Sequence, residues 1–218
     1  MIRVIAGEWR GRRISTPPGG GTRPTSEKVR GAVFNVLHAR MAIENAVVWD
    51  LFAGSGALGI EALSRGARHV HFVESDARAA ALIRETLKAL LAPAERWTVA
   101  TARVDSWLAH APAPAAPLIV LMDPPYSASE RRERLVRLAG MESVPRGTVI
   151  VLESALHAAP EVPPGLELVQ SKRYGGTGVQ FMVKDVMVKD VMVDGAPQPA
   201  HVPPETVSDE SSGDERDP

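Results

Sequence analysis

The 218-residue chain is 44% hydrophobic but only 5% aromatic, has a net charge of −1 and contains no cysteine. Its length suits one α/β domain with small additions. The missing cysteine excludes a disulfide framework, a cysteine-rich zinc site and a thiol nucleophile, and no run reaches the roughly 18 apolar residues of a membrane span, so a soluble cytoplasmic protein is expected.

The elements follow in chain order. Residues 2–14 predict a short hairpin, with Ile2, Val4 and Ile14 as strand formers and Gly7 and Gly11 as turn positions. A Pro/Gly loop over 16–21 leads to Thr25 or Ser26, either of which can cap a helix reaching about Arg40. Val29, Ala32, Val33, Val36 and Leu37 give that helix one apolar face. Strands and helices then alternate. Strands are expected at 47–49, 69–73, 97–100, 118–122 and 148–152, and helices at 57–65, 76–91 and 130–138. Leu118–Met122 is apolar throughout, as parallel strands buried on both faces are. Two last strands, 166–169 and 179–183, flank Gly175-Gly176-Thr177-Gly178 and predict an antiparallel hairpin. A doubly wound α/β fold follows, with its ligand at the carboxyl ends of the strands near the switch point.

Charge divides the chain. Residues 1–40 hold eight Arg/Lys against two Glu, whereas residues 194–218 hold one Arg against seven Asp/Glu. A basic N-terminal region suits a polyanionic partner, and equally a solvated basic face. From Phe181 a five-residue pattern repeats: Phe-Met-Val-Lys-Asp, Val-Met-Val-Lys-Asp, Val-Met-Val-Asp-Gly. Its first copy reads as the terminal strand and the others as an extension. The Pro-, Ser- and acid-rich tail beyond Gly195 is expected to be disordered. Three segments result: a basic hairpin and loop over 1–24, a catalytic domain over 25–185, and the repeat with its acidic tail over 186–218.

Two motifs carry chemistry. Gly54, Gly56 and Gly59 in Asp50-Leu51-Phe52-Ala53-Gly54-Ser55-Gly56-Ala57-Leu58-Gly59 spell G-x-G-x-x-G between a strand and a helix, so a dinucleotide site must be weighed. Asp50 favours an adenosine cofactor lacking a pyrophosphate, because a carboxylate repels a pyrophosphate but accepts from a cationic amino-acid moiety. Glu74, closing the next strand, can take two ribose hydroxyls and suits either cofactor class. Asp105-Ser106 follows the third strand, where Asp105 can accept from an adenine amino group or cap a short helix.

The second motif is Asp123-Pro124-Pro125-Tyr126, directly after the apolar strand. Paired prolines stiffen the loop and remove two backbone donors, leaving carbonyls beside a carboxylate. That arrangement suits a planar amino group, a pure hydrogen-bond donor: Asp123 and the Pro124 carbonyl each accept one N–H, and Tyr126 stacks on the base. Holding both hydrogens directs the nitrogen lone pair at a sulfonium methyl, so rate comes from positioning and exclusion of water. Asp123 or solvent takes the proton. The six histidines are scattered, and no metal site is expected.

These residues resemble the RsmD-type bacterial 16S rRNA guanine-N2 methyltransferases over roughly residues 2–184. The resemblance rests on Arg3-Val4-Ile5-Ala6-Gly7 with Arg10-Gly11-Arg12, on Arg23-Pro24-Thr25, on Val29-Arg30, Phe34-Asn35 and Leu37, and on the Asp50–Gly59 loop. It continues through Glu61-Ala62-Leu63-Ser64-Arg65-Gly66-Ala67, Phe72-Val73-Glu74 and Asp123–Tyr126. The glycine loop and D-P-P-Y are shared by many amino-methyltransferases; the N-terminal block with E-A-L-S-R-G-A is more specific.

The resemblance implies a class I methyltransferase fold, with a seven-stranded mostly parallel sheet, a terminal antiparallel hairpin and a small N-terminal extension. It also implies methylation of one 16S rRNA guanine at N2. S-adenosylmethionine would be bound by Asp50, Phe52, Gly54, Gly56, Glu74, Asp105, Ser106 and Thr25, and the target amine by Asp123, Pro124, Pro125 and Tyr126. Arg10, Arg12, Arg13, Arg23, Lys172 and Arg173 are the RNA-binding candidates, and a monomer acting on rRNA or an assembling small subunit is expected. The repeat and acidic tail depart from the family pattern. The competing readings are a DNA adenine-N6 methyltransferase, a nicotinamide-dependent oxidoreductase and a non-catalytic RNA-binding protein.

Overall fold

The computed structural model describes residues 2–16, 27–40, 43–114, 117–124, 127–156 and 159–184. Thr25, Arg23, Pro125, Tyr126 and everything from Asp185 onward lie outside the described residues, and the repeat and acidic tail with them.

The chain opens with β1 (Ile2–Arg3) and β2 (Arg13–Ile14), paired antiparallel as a separate two-stranded sheet. Next come α1 (Glu27–Arg40), β3 (Val47–Leu51), α2 (Ala57–Ser64), β4 (His69–Glu74) and α3 (Ala77–Ala89). β5 (Trp97–Thr101), α4 (Val104–Leu108), β6 (Leu118–Met122), α5 (Ala128–Gly140) and β7 (Val149–Ala155) continue the alternation, before β8 (Leu166–Tyr174) and β9 (Thr177–Lys184) close it. The main sheet has the order β5-β4-β3-β6-β7-β9-β8. β3, β4, β5, β6 and β7 pair in parallel, while β9 is antiparallel to both β7 and β8. Strand order reverses between β3 and β6, which places a crevice at their carboxyl ends.

Alternation along the strands builds two cores. Val48, Ile119, Leu121, Val151, Val179 and Phe181 pack against α1, α2 and α3. Trp49, Leu51, Val120, Met122, Ile150, Leu152 and Met182 pack against α4 and α5. β3 and β6 are buried at every position, as strands covered on both faces must be.

Several boundaries differ from the sequence reading, each for a local reason. α5 begins at Ala128, not Glu130, because Ser127 and Glu130 form a reciprocal capping box. β8 and β9 are longer than expected and leave only Gly175-Gly176 as the turn, so Thr177 and Gly178 belong to β9. Asp105 lies inside the first turn of α4 and is not its cap, a position held by Arg103. Asp50 is the fourth residue of β3, one short of the strand's end.

The N-terminal hairpin is docked on α2 through the E-A-L-S-R-G-A segment. Glu61, fully buried, accepts from the amides of Ile5 (2.8 Å) and Ala6 (3.0 Å) and from Arg65 Nε (2.8 Å). Ser64 Oγ donates to the Ala6 carbonyl (2.6 Å) and accepts from the Trp9 amide (3.0 Å). The hairpin backbone comes so close that a Cβ on Gly7, which sits at φ +84°, would lie 1.9 Å from the Ser64 carbonyl oxygen. Arg30 reaches the same place from α1: its Nε lies 3.5 Å from Glu61 and its guanidinium donates to the Arg3 carbonyl. Burial lowers the Arg30 pKa from its ordinary value, and Glu61 foremost opposes that shift.

Candidate active site

The glycine loop leaves β3 through Phe52 at φ 63°, Gly54 at φ 54° and Gly56 at φ 72°. A side chain rarely adopts such a backbone, and Phe52 does so where the chain turns from strand to helix. Two carboxylates hold the loop. Glu74 Oε2 accepts from the Gly54 amide and Oε1 from the Asp76 amide, both at 2.8 Å. Asp50 Oδ2 accepts from the Gly59 amide at 2.8 Å. Gly59 is needed for that approach: a Cβ there would sit 2.3 Å from Phe72 and 2.9 Å from Asp50 Oδ2.

Asp50 is 2% exposed. Burial pushes its pKa up to about 8; the Gly59 hydrogen bond opposes this, and the charges of Glu74 and Asp123 add to it. A cation brought against Asp50 would reverse that shift.

Beside the loop, Phe52, Val73, Glu74, Ser75, Arg103 and Asp105 line a small cleft. The donor set suits S-adenosylmethionine. Its apolar walls, Phe52 and Val73, accept a flat ring. A carboxylate has about four lone-pair sites, and Glu74 has spent two on backbone amides, leaving acceptors for ribose hydroxyls. Glu74 and Asp105 line the cleft and favour a cationic ligand over a pyrophosphate; Asp50, buried against α2, is not part of its lining. Ser106 is exposed on α4 and does not line the cleft.

Asp105 is held from α5. Arg134 donates to its Oδ2 at 3.1 Å, Arg137 Nη1 lies 3.9 Å from its Oδ1, and the Arg134 guanidinium stands 5.9 Å from the centre of the Phe52 ring. Arg134 and Arg131 are both buried on α5, and Arg131 feels the charge of Asp123. Sequence reasoning missed these arginines; their three-residue spacing was the available signal.

Asp123 is exposed and Pro124 buried, both just past the carboxyl end of β6. The structure thus brings Asp50, Phe52, Gly54, Gly56, Glu74, Asp105, Asp123 and Pro124 to one end of the sheet. The basic candidates among the described residues lie elsewhere. Arg10, Arg12 and Arg13 are exposed on the hairpin, and Arg12 donates to the Ala89 carbonyl at 2.9 Å. Ala89 ends α3, the end remote from the glycine loop, so Arg12 serves a helix terminus there. Lys172 and Arg173 are exposed on β8, the sheet's outer strand.

A second cavity of about 240 Å³, lined by Val47, Arg68, His69, His71 and Pro112–Pro114, opens at the amino ends of the strands. His71 there is pushed down to about 4 by burial and then by His69, so it is neutral at ordinary pH. Among the described residues no group of three His, Cys, Asp or Glu could hold a metal ion, and no helix is long and apolar enough to cross a membrane.

A doubly wound sheet, a glycine loop leaving its first parallel strand and acids at the adjacent strand ends define a class I S-adenosylmethionine-dependent methyltransferase. The chain belongs to the RsmD-type family: the family model described as Conserved hypothetical protein 95 matches residues 2–183. It is 35% identical over 176 residues to Ribosomal RNA small subunit methyltransferase D of Escherichia coli K12, covering 80% of this chain and 86% of that one. The protein of the same name from Haemophilus influenzae is 30% identical over 174 residues, covering 80% and 89%. Among solved structures, the E. coli protein yhhF, described as a methyltransferase candidate, superposes with a TM-score of 0.73 at 30% identity, covering 85% of this chain and 98% of that one. A Thermus thermophilus protein superposes with a TM-score of 0.68 at 26% identity, covering 83% and 98%.

Proposed function

We propose that this enzyme methylates the exocyclic N2 amino group of one guanine in 16S rRNA. The observation that carries the reading is the position of Asp123 and Pro124 at the carboxyl end of β6, next to the acid-lined loop of β3. The names of the relatives supply the RNA, and the family resemblance supplies guanine N2.

Bound S-adenosylmethionine would supply an electrophilic methyl group on a sulfonium. Glu74 would accept from ribose hydroxyls, Asp50 would face the cationic amino-acid end, and Asp105, braced by Arg134, would border the adenine. Asp123 and the Pro124 carbonyl would each accept one hydrogen of the target amine. Its lone pair, otherwise delocalised into the ring, is then turned toward the methyl group, and the gain is one of orientation. The nitrogen loses one proton for each methyl gained, to Asp123 or to solvent. In this reading Tyr126 stacks on the base, Pro125 stiffens the loop, and Thr25 and Arg23 border the site. Ser106, outside the cleft, has the weakest claim to the cofactor. Arg10, Arg13, Lys172 and Arg173 contact RNA phosphates, with Arg12 contributing less because Ala89 already occupies it.

The test is methyl transfer from labelled S-adenosylmethionine to small-subunit RNA and to small-subunit particles, set against duplex DNA. Transfer to the ribosomal substrate is expected, with N2-methylguanosine in the digest. Incorporation into DNA alone would sink the proposal. Asp123→Ala should lower kcat by at least about 100-fold while calorimetry shows cofactor affinity within a few-fold of wild type.

A further inference from the structure

Arg131 and Arg134 stand one turn apart on α5 and are both buried, although arginine is seldom buried unless paired. Arg134 has its partner in Asp105, on the cofactor side of the site. Arg131 has no part in the reaction as described. Its place follows from the strand–helix unit. Only residues 123–127 separate β6 from α5, so the helix starts at the carboxyl end of the strand and runs back along it. Leu135 and Leu138, on the same helix face, pack in the core that holds Met122. Arg131 lies one turn nearer the helix start than Leu135, hence beyond Met122 and level with Asp123. Its amide donates to the Ser127 carbonyl at 3.1 Å, which anchors it to the end of the loop that Asp123 begins. Charge agrees with this placement. Burial lowers the Arg131 pKa from its ordinary value, and Asp123 foremost opposes that shift, ahead of Glu130. Glu130 is already engaged at the helix cap, where its Oε2 accepts from the Ser127 amide at 3.0 Å and hydroxyl at 2.7 Å.

We propose that Arg131 is a positioning residue that holds the Asp123 carboxylate in the orientation that receives the target amine. This role rests on the amine-binding role given to Asp123 above. The β6 ladder ends at Met122, and Asp123 is exposed just past it. The prolines stiffen the loop backbone but leave the χ angles of Asp123 free, so a neighbouring group must set them. A carboxylate has about four lone-pair sites, enough to meet a guanidinium with one oxygen and an amine hydrogen with the other. The planar fork of arginine fixes the plane of a carboxylate, which a point charge does not. The two buried arginines thus divide one helix face: Arg134 braces the acid on the cofactor side and Arg131 the acid on the substrate side.

The test is a double-mutant cycle on small-subunit particles, with methyl transfer followed from labelled S-adenosylmethionine. Arg131→Ala is expected to lower kcat by about 10- to 100-fold, the scale of a misplaced reacting group. Its KM for the ribosomal substrate and its cofactor affinity should stay within about 3-fold of wild type. Placed on Asp123→Ala, the same change should cost less than about 2-fold more, because the group through which Arg131 acts is already gone. A merely structural arginine would lower kcat equally in both backgrounds. Thermal melting establishes that the variants are folded. If Arg131→Ala is not, Arg131→Met fills the space without the charge and takes its place in the cycle. A fully additive loss, or a folded Arg131 variant with wild-type kcat, overturns the positioning role and leaves the amine-binding reading standing. Wild-type kcat in Asp123→Ala alone overturns that reading, and the role of Arg131 with it.

Discussion

At the scale of single residues, Asp50 shows a conflict between stability and function. Its carboxyl is sealed under α2 and titrates near pH 8. In the unfolded chain an aspartate titrates near pH 3.9. Below about pH 4 both states are protonated and Asp50 costs nothing. Between about pH 4 and 8 the unfolded state releases its proton while the folded state keeps it, so the ligand-free protein loses stability as pH rises. Asparagine keeps the acceptor for the Gly59 amide and removes this dependence. Asp50→Asn is therefore expected to be more stable than wild type at pH 7.5, by about 3 kcal/mol relative to the difference at pH 5. Urea denaturation at the two pH values measures it, and equal pH slopes for the two proteins would refute it. The same change should weaken S-adenosylmethionine binding, which calorimetry reads separately. Asp50, Gly54, Glu74 and Asp123 were legible in the sequence because each stands at or just past the carboxyl end of an expected strand, and Gly54 and Asp123 also carry the glycine and proline signals of a loop. Arg134 was not: an arginine in a charged helix shows no sign of its partner until α5 is known to lie against α4.

At the scale of elements, the N-terminal hairpin and α2 form one polar joint. Glu61 binds two hairpin amides and two arginines with no solvent contact, and truncating one partner strands buried charge. Glu61→Gln should cost about 3–5 kcal/mol, because Arg30 then lacks its nearest counter-charge and an NH₂ group faces backbone donors. Hydrogen exchange should show Ile5, Ala6 and Trp9 losing protection before the central strands do. Uniform loss of protection would mean the hairpin and the sheet unfold as one unit. The joint also explains the E-A-L-S-R-G-A segment. Glu61 and Ser64 dock the hairpin, and Arg65 lies 5.1 Å from the centre of the Phe34 ring. Ala62 and Ala67 are buried, and Gly66 turns the chain at φ 95°. The sequence marked this segment as characteristic of the family; the structure ties it to hairpin docking. On the other face, α5 links the two halves of the site. Its N-cap Ser127 stands four residues after Asp123, and its Arg134 braces Asp105 over Phe52.

At the scale of the molecule, positive charge is spread across separate surfaces. Arg12 of the hairpin lies at the far end of α3 from the cofactor loop, while Lys172 and Arg173 stand on β8, an outer strand of the sheet. Charged residues on an outer strand also deter edge-to-edge pairing, so the RNA role needs its own test. Replacing both Lys172 and Arg173 with alanine should reduce the slope of log affinity against log salt by roughly 1.4–1.8, about 0.7–0.9 for each phosphate no longer neutralised. An unchanged slope would leave them only the edge-protecting role. The sequence by itself determined the alternation of strands and helices, the terminal hairpin, the glycine loop and the amine-binding motif. Periodicity, glycine and proline act locally and leave their mark on neighbouring residues. Strand order and register are set by packing between distant segments. Only the tertiary structure tied Arg134 to Asp105, committed Arg12 to a helix end, and sealed Asp50 deeply enough to shift its titration.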